Sequence, residues 1–172
     1  MVEYKHRNLT SIKLFGERVD FIADNPRLED RVSKISNERH VIDAMIHAAR
    51  PDDVVWDIGA CLGIHSFTTA KHLSDGKVIA FEPMPTNRGV LIDNMTVNHL
   101  DNVEVRREAL SNEDGTSDFA IREGVEAGFG RHSLDVGDYE KIRSIEVPAR
   151  RGNSLAVSND VQAPNIVKID VE

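Results

Sequence analysis

A glycine-bearing turn between a short apolar run and a helical pattern most constrains the fold. The turn is residues 57–63, DIGACLG, and it follows the apolar residues 54–56. The pattern of residues 64–73 then predicts a helix. Glycine at such a corner allows a tight turn and the close approach of a ligand. The sequence therefore predicts a strand, a turn and a helix, with a ligand site at the turn.

The alternation of strand and helix patterns continues along the chain. Residues 77–81 are predicted as a buried strand, residues 103–107 and 165–171 as further strands, and residues 88–100 as a helix. Strands separated by helices of this length are typical of βαβ units. We therefore expect an α/β fold with a parallel sheet and helices on its faces. In residues 115–150, glycines interrupt short stretches in which apolar and polar residues alternate. This pattern predicts a β-rich or loop insertion there.

The first fifty residues follow other patterns. Apolar and polar residues alternate on either side of Gly16-Glu17, which predicts a β-hairpin with these two residues in its turn. Asn25-Pro26 indicates a loop. The spacing of apolar residues from Val41 to Ala49 predicts a helix, with N-cap candidates among residues 36–38 (SNE).

The residues of the glycine turn exclude two nucleotide-binding motifs. A nicotinamide fingerprint needs glycines where the chain has Cys61 and Ile64, and no Gly-Lys-Ser/Thr follows to form a phosphate loop. Asp57 would repel a pyrophosphate. Glu82, at the end of the next predicted strand, is placed to accept hydrogen bonds from ribose hydroxyls. The implied ligand is a nucleoside with a charged tail and no phosphate.

Composition narrows the class of protein. The formal net charge of −8 argues against partners that need a basic face, namely nucleic acid and anionic membrane surfaces. No apolar run approaches the ~20 residues of a transmembrane helix, and the charged first residues are followed by no apolar signal segment. The histidines lack the i, i+4 pairing of helical metal ligands, so no metal is expected. These features predict a cytoplasmic protein.

Four motifs resemble a known family. VVWDIGACLGIHSF resembles motif I of class I S-adenosylmethionine-dependent methyltransferases, and IAFEP resembles the acidic motif that ends their second strand. With EALSNEDG and the terminal IVKIDVE, these motifs are similar to the FkbM family of methyltransferases over about residues 37–172. The resemblance implies a Rossmann-like sheet with helices on both faces. The resemblance also implies an S-adenosylmethionine-binding methyltransferase domain over residues 37–172, and the hairpin with its lead-in occupies residues 1–36 before it.

The resemblance implies roles for individual residues. The turn would face the methionine end of S-adenosylmethionine, Glu82 would hold the ribose, and Glu108-Ala109 would flank the adenine. The implied cofactor-binding residues are Asp57, Gly59, Ala60, Cys61, Gly63, Glu82, Glu108 and Ala109.

The resemblance also implies a reaction, the O-methylation of a hydroxyl on a small molecule or sugar. Asp170, at the end of the fourth strand, would lie near the transferred methyl group and is the first candidate to assist loss of the hydroxyl proton. Glu172 is the second candidate. An equal alternative is that Asp170 and Glu172 are strand-end carboxylates that only orient the cofactor.

Other interpretations stay open. A nicotinamide-dependent oxidoreductase and a non-catalytic cofactor-binding domain are the alternative functions. Trp56 is expected in the core. Cys61 is interpreted as a small buried side chain, in preference to a reactive thiol. His65, just inside the turn, is a candidate contact to cofactor or acceptor.

The end of the chain carries a further expectation. The sequence stops at Glu172, inside the family's last recognisable motif, so we expect an incomplete domain without the later strands of the full fold. The fourth strand would then be an exposed apolar edge, which invites pairing with another chain. We therefore expect weak or no methyl transfer by these residues alone, and self-association through that edge.

Overall fold

The computed structural model describes residues 7–122 and 142–171. Its strands are β1 (Leu9–Leu14), β2 (Glu17–Ile22), β3 (Val54–Ile58), β4 (Lys77–Phe81), β5 (Val103–Arg106), β6 (Ala109–Leu110), β7 (Gly115–Arg122), β8 (Ile142–Arg150) and β9 (Ile166–Ile169). Its helices are α1 (Pro26–Ser33), α2 (Arg39–Ala48), α3 (Ile64–Ala70), α4 (Pro85–Val97) and α5 (Gly152–Val157), with a 3-10 helix (Lys34–Glu38) between α1 and α2.

The main sheet is parallel and has the strand order β5-β4-β3-β9. Trp56 of β3 lies opposite Ile79 of β4 on one side and Val167 of β9 on the other. The chain first adds β4 and β5 on one side of β3 and later adds β9 on the other side. The strand order therefore reverses between β3 and β9, which is where open α/β sheets bind ligands, beyond the carboxyl ends of the strands.

Helices cover both faces of this sheet. Val55 and Val78 point to the face that packs against α2, α3 and α4, and Leu91 of α4 is among their buried neighbours. Trp56 and Phe81 point to the other face and pack with Leu155 of α5. The predicted α/β class, the Rossmann-like arrangement and the core position of Trp56 are confirmed.

The predicted N-terminal hairpin is confirmed, but its turn is one residue earlier than predicted. Leu14 pairs with Glu17, so Phe15 and Gly16 form the two-residue turn. Both have positive φ, 48° and 91°, as the favoured hairpin turns require. Glu17 is therefore the first residue of β2 and not part of the turn.

Helix α1 is not among the predictions, which placed Asn25-Pro26 in a loop. Asn25 is extended and its side chain accepts hydrogen bonds from the backbone N–H groups of Arg27 and Leu28, while Pro26 occupies the first helical turn. Asparagine as N-cap followed by proline is a helix start. Of the expected N-cap residues 36–38, Glu38 occupies the N-cap position of α2, but these residues lie in the 3-10 helix and the Glu38 side chain makes no capping hydrogen bond.

The predicted β-rich insertion is confirmed where it is described. β7 pairs antiparallel with β8, and the short β6 pairs parallel with β8, forming a second small sheet. Phe119, Ile121 and Val147 of this sheet pack with Met84, which precedes α4. Residues 123–141 of the insertion lie outside the described residues.

β9 is an edge of the four-stranded sheet among the described residues. Ile169 is 67% exposed, Val167 and Val171 are also exposed, and Ile166 packs against the core. The exposed apolar edge is as expected, whereas self-association through it stays a prediction. None of the helices in the described part of the chain has the length and apolar character needed to cross a membrane.

Gly89 offers a stabilising substitution. It lies inside α4, and a Cβ added there would meet nothing within 4 Å. Alanine restricts the unfolded chain and suits a helix, so Gly89→Ala should raise the free energy of unfolding by about 0.5–1 kcal/mol. Urea denaturation measures this. A destabilisation by Gly89→Ala would show that the space beside this position of α4 is not open.

Candidate active site

A large cavity opens at the carboxyl ends of the parallel strands. Its volume is about 1060 Å³, and its wall includes the turn after β3, the ends of β4 and β9, and the start of β6. Sites for small molecules and cofactors commonly measure about 300–1,000 Å³. Seven of the residues singled out from the sequence line it, namely Gly59, Cys61, His65, Glu82, Glu108, Ala109 and Asp170.

The turn after β3 has a backbone that requires glycine. Gly59 and Gly63 have φ of 81° and 89°, and Cys61 between them also has a positive φ of 52°. A Cβ on Gly59 would come closer than 3.0 Å to the backbone oxygen of Asp170, and one on Gly63 would strike the Phe67 ring. The glycines thus allow the turn to pack directly against the end of β9 and against α3.

Glu82 is buried at the junction of this turn with β4. Its Oε2 accepts a hydrogen bond of 2.8 Å from the backbone N–H of Cys61, and its Oε1 accepts one of 2.9 Å from that of Met84. Burial raises the pKa of Glu82 to about 7 although both hydrogen bonds favour the charged form. Each oxygen still has a lone pair to offer, because a carboxylate has about four acceptor positions.

Asp57 forms a buried ion pair instead of lining the cavity. Its Oδ1 lies 2.9 Å from Nζ of Lys168, and its Oδ2 accepts a hydrogen bond from Ser66 of α3. The register places Asp57 of β3 opposite Lys168 of β9, so both side chains leave the same face of the sheet. Ala60 and Gly63 also lie behind the cavity lining. Direct contacts of these three residues with a cofactor stay predictions.

Lys168 itself is not among the residues singled out from the sequence. It lines the cavity and also lies 3.7 Å from Asp170 Oδ2, with its side chain only 8% exposed. The pattern of the strand residues IVKI does not predict that the lysine is buried. Lys168 is buried because it pairs opposite Asp57, and the sequence does not reveal that pairing.

Removing Lys168 should destabilise the chain. Lys168→Met leaves the Asp57 carboxylate buried without its cation, which costs about 3–5 kcal/mol of unfolding free energy. Lys77→Met is the matched control, because Nζ of Lys77 lies 3.8 Å from Glu104 near the surface. This variant should lose under about 1 kcal/mol of unfolding free energy. Equal effects in urea denaturation would contradict the buried pair. Asp57→Asn added to Lys168→Met should recover part of the loss.

The other predicted carboxylates differ in position. Asp170 lines the cavity with a side chain that is 62% exposed, beyond the end of β9. Glu172 lies outside the described residues. Neither role in proton removal is tested by these positions, and both stay predictions.

The end of the cavity near the second sheet combines apolar and charged residues. Ala109, Leu110 and Phe119 line it beside Glu108. Burial opposes ionisation of Glu108, but a 2.6 Å hydrogen bond from Arg106 holds its pKa below the ordinary value. This end therefore offers apolar surface for a flat ring and fixed acceptors at its rim.

Cys61 and His65 occupy the centre of the wall. Burial and the neighbouring Glu82 raise the pKa of the Cys61 thiol to about 12, so it is a small buried side chain, as expected, and not a thiolate. Burial lowers the pKa of His65, which favours the neutral imidazole. His65 lines the cavity, which the expected contact to a ligand requires.

One wall of the cavity comes from a segment that the sequence did not connect with the site. Arg27, Arg31 and Lys34 of α1 and the 3-10 helix, with Glu38, line the cavity opposite the strand ends. The only local signal was the Asn25-Pro26 helix start. Among the described residues, no group of three or more His, Cys, Asp or Glu side chains is arranged to hold a metal ion.

Comparison with known proteins identifies relatives for this site. A family model described as methyltransferase FkbM domain matches residues 57–172. The hexuronic acid methyltransferase AglP of Haloferax volcanii is 30% identical over 142 residues, which are 83% of this chain and 55% of that protein. The chain thus spans about half the length of the curated relative that it matches.

Two solved structures are similar to parts of the chain. The precorrin-6y C5,15-methyltransferase of Geobacter metallireducens is 26% identical, with a TM-score of 0.36 over 39% of this chain and 36% of that one. TYW2 of P. horikoshii in complex with MeSAdo is 18% identical, with a TM-score of 0.39 over 67% of this chain and 53% of that one.

Proposed function

This chain belongs to the FkbM methyltransferase family, and we propose that its protein transfers the methyl group of S-adenosylmethionine to a hydroxyl of a sugar or similar small molecule. The observation that carries the proposal is that the glycine turn and the buried Glu82 carboxylate, which accepts a hydrogen bond from the turn, line the same cavity. The nicotinamide alternative has no support from the family match. A cofactor-binding domain without activity is the remaining alternative, and the activity assay below separates it.

The residues present fit this cofactor. Glu82 has free lone pairs on both oxygens and sits where an acid after the second strand accepts hydrogen bonds from ribose hydroxyls. The apolar end with Ala109 and Phe119 would receive the adenine, and the backbone of residues 59–61 would face the methionine end. The cavity volume leaves room for an acceptor beside the cofactor.

The cofactor supplies an electrophilic methyl group when bound, so the chain's residues position the reactants and handle a proton. Asp170 lies at the exposed end of the cavity, where it would accept the proton of the acceptor hydroxyl. Lys168, whose Nζ lies 3.7 Å from Asp170 Oδ2, would hold this carboxylate in position at the end of the cavity.

The acceptor class follows from the curated relative. That protein is named for a hexuronic acid, which is a sugar with hydroxyl groups. Asp170 and His65 in the cavity wall offer hydrogen-bonding groups that suit a hydroxylated acceptor. We therefore propose a sugar hydroxyl as the methyl acceptor.

A methyl-transfer assay with labelled S-adenosylmethionine and a panel of sugars tests this function. We expect transfer to at least one sugar. Asp170→Asn should lower kcat about 100-fold, the usual contribution of a positioned base, with little change in S-adenosylhomocysteine affinity. Asp160→Asn, at an exposed position outside the cavity lining, is the control. Cofactor binding without transfer to any acceptor would instead support the non-catalytic alternative.

A further inference from the structure

Three unpaired polar atoms cluster where α1 and the 3-10 helix meet the start of α3. Within the described parts of the chain, Nε of Arg31, Oε2 of Glu38 and Nε2 of His65 are buried and have no hydrogen-bond partner. All three residues line the cavity. Buried polar groups are almost always paired, and leaving one unpaired costs about 1–3 kcal/mol. Such a cluster at a cavity indicates a ligand that supplies the missing partners.

The three groups are neighbours but do not satisfy one another. Arg31 Nη2 lies 3.6 Å from Glu38 Oε1, and Glu38 Oε2 lies 3.4 Å from His65 Nε2. The first separation exceeds a normal hydrogen bond, and the second lacks hydrogen-bond geometry. Nε of Arg31 therefore remains a donor without an acceptor, and Oε2 of Glu38 remains an acceptor without a donor.

We propose, on the basis of the proposed function, that Arg31 binds a carboxylate of a ligand in this cavity and that Glu38 accepts a hydrogen bond from a donor on the same ligand. A guanidinium presents a planar pair of donors that matches a carboxylate. The ligand is thus a carboxylic acid that also carries hydroxyl or ammonium groups. The segment with Arg31 precedes residues 57–172, which the family model matches, so the family match assigns it no role.

Two molecules of the proposed reaction have this chemistry. A sugar acid carries a carboxylate beside hydroxyl groups, and the cofactor's methionine end carries a carboxylate beside an ammonium group. Matched ligands separate these sources. S-adenosylhomocysteine and 5′-methylthioadenosine differ by the amino-acid tail. Methyl glucuronide and methyl glucoside differ by the carboxylate.

The experiment titrates these four ligands into the full chain and into Arg31→Ala, by calorimetry for the nucleosides and by NMR for the sugars. Arg31→Ala should weaken one carboxylate-bearing ligand about 10- to 100-fold, as expected for a lost charged hydrogen-bond pair. Its carboxylate-free partner should bind unchanged. Loss confined to S-adenosylhomocysteine assigns the cofactor, and loss confined to the glucuronide assigns the acceptor.

Controls separate this role from a structural one. Arg31→Lys keeps the charge without the planar donor pair and should lose part of the affinity, while Arg18→Ala, on the exposed hairpin, should lose none. The inference is overturned if Arg31→Ala leaves all four affinities unchanged, or lowers both members of each pair equally. A wild-type chain that binds neither nucleoside would refute the proposed cofactor, while the sugar pair would still test the carboxylate site.

Discussion

Replacing Glu82 with alanine should weaken the binding of S-adenosylhomocysteine at least about 100-fold, because the change removes charged hydrogen bonds worth about 1.5–3 kcal/mol each. It also leaves the backbone N–H groups of Cys61 and Met84 without their acceptor. At the proposed site, the cofactor would therefore lose both its ribose partner and the fixed position of the turn. Isothermal titration calorimetry measures the affinity.

Two variants make the Glu82 result specific. Glu82→Gln retains one acceptor oxygen and should bind more weakly than wild type but more tightly than Glu82→Ala. Glu113→Ala, at an exposed position, should bind as wild type does. Circular dichroism checks that each variant is folded. Unchanged affinity in a folded Glu82→Ala chain would remove Glu82 from the site.

The pH dependence gives Glu82 a second signature. Its pKa is raised to about 7 by burial, so its contribution to stability is fully present below about pH 4.5 and is lost as pH rises through 7. Ribose hydroxyls donate to the ionised form, so cofactor affinity should fall as pH drops below 7. Stability and affinity therefore change in opposite directions with pH, and Glu82→Ala should abolish both dependences.

Gly59→Ala should lower the free energy of unfolding by about 3–5 kcal/mol and abolish cofactor binding. The residue has a φ of 81°, which alanine adopts only with strain. In addition, the new Cβ would collide with the backbone oxygen of Asp170, which cannot move aside as a flexible side chain can. The turn and the end of β9 must then separate, and the cavity loses its wall.

Gly16→Ala isolates the backbone part of this effect. Gly16 has a similar φ of 91°, but a Cβ there would meet nothing within 4 Å. Gly16→Ala should lower the free energy of unfolding by only about 1 kcal/mol and leave cofactor affinity unchanged. If the two alanine variants unfold at the same urea concentration, the packing of Gly59 against Asp170 is not what holds the turn.

The parallel sheet and the position of Glu82 could be predicted because local patterns determine them. Apolar runs such as KVIAF become buried strands wherever helices cover both faces of a sheet. An acid that directly follows such a strand must lie at its carboxyl end, as Glu82 does. The glycines of the turn likewise indicated a backbone that only glycine adopts without cost.

Contacts between distant segments could not be predicted in the same way. Lys168 is buried because its register against β3 places it beside Asp57, more than a hundred residues earlier. The wall with Arg31 and Glu38 depends on how α1 and the 3-10 helix pack over the strand ends. Proline at position 26 on its own indicates a loop, whereas proline in the first turn after an asparagine N-cap favours a helix.

A crystal structure of the chain with S-adenosylhomocysteine is the decisive test of the proposed cofactor site. We expect the Glu82 carboxylate within hydrogen-bond distance of both ribose hydroxyls, and the adenine against Ala109 and Phe119. The thioether sulfur should face the end of β9, near Asp170. A ligand bound elsewhere, or bound in this cavity with its ribose away from Glu82, would contradict the proposed site.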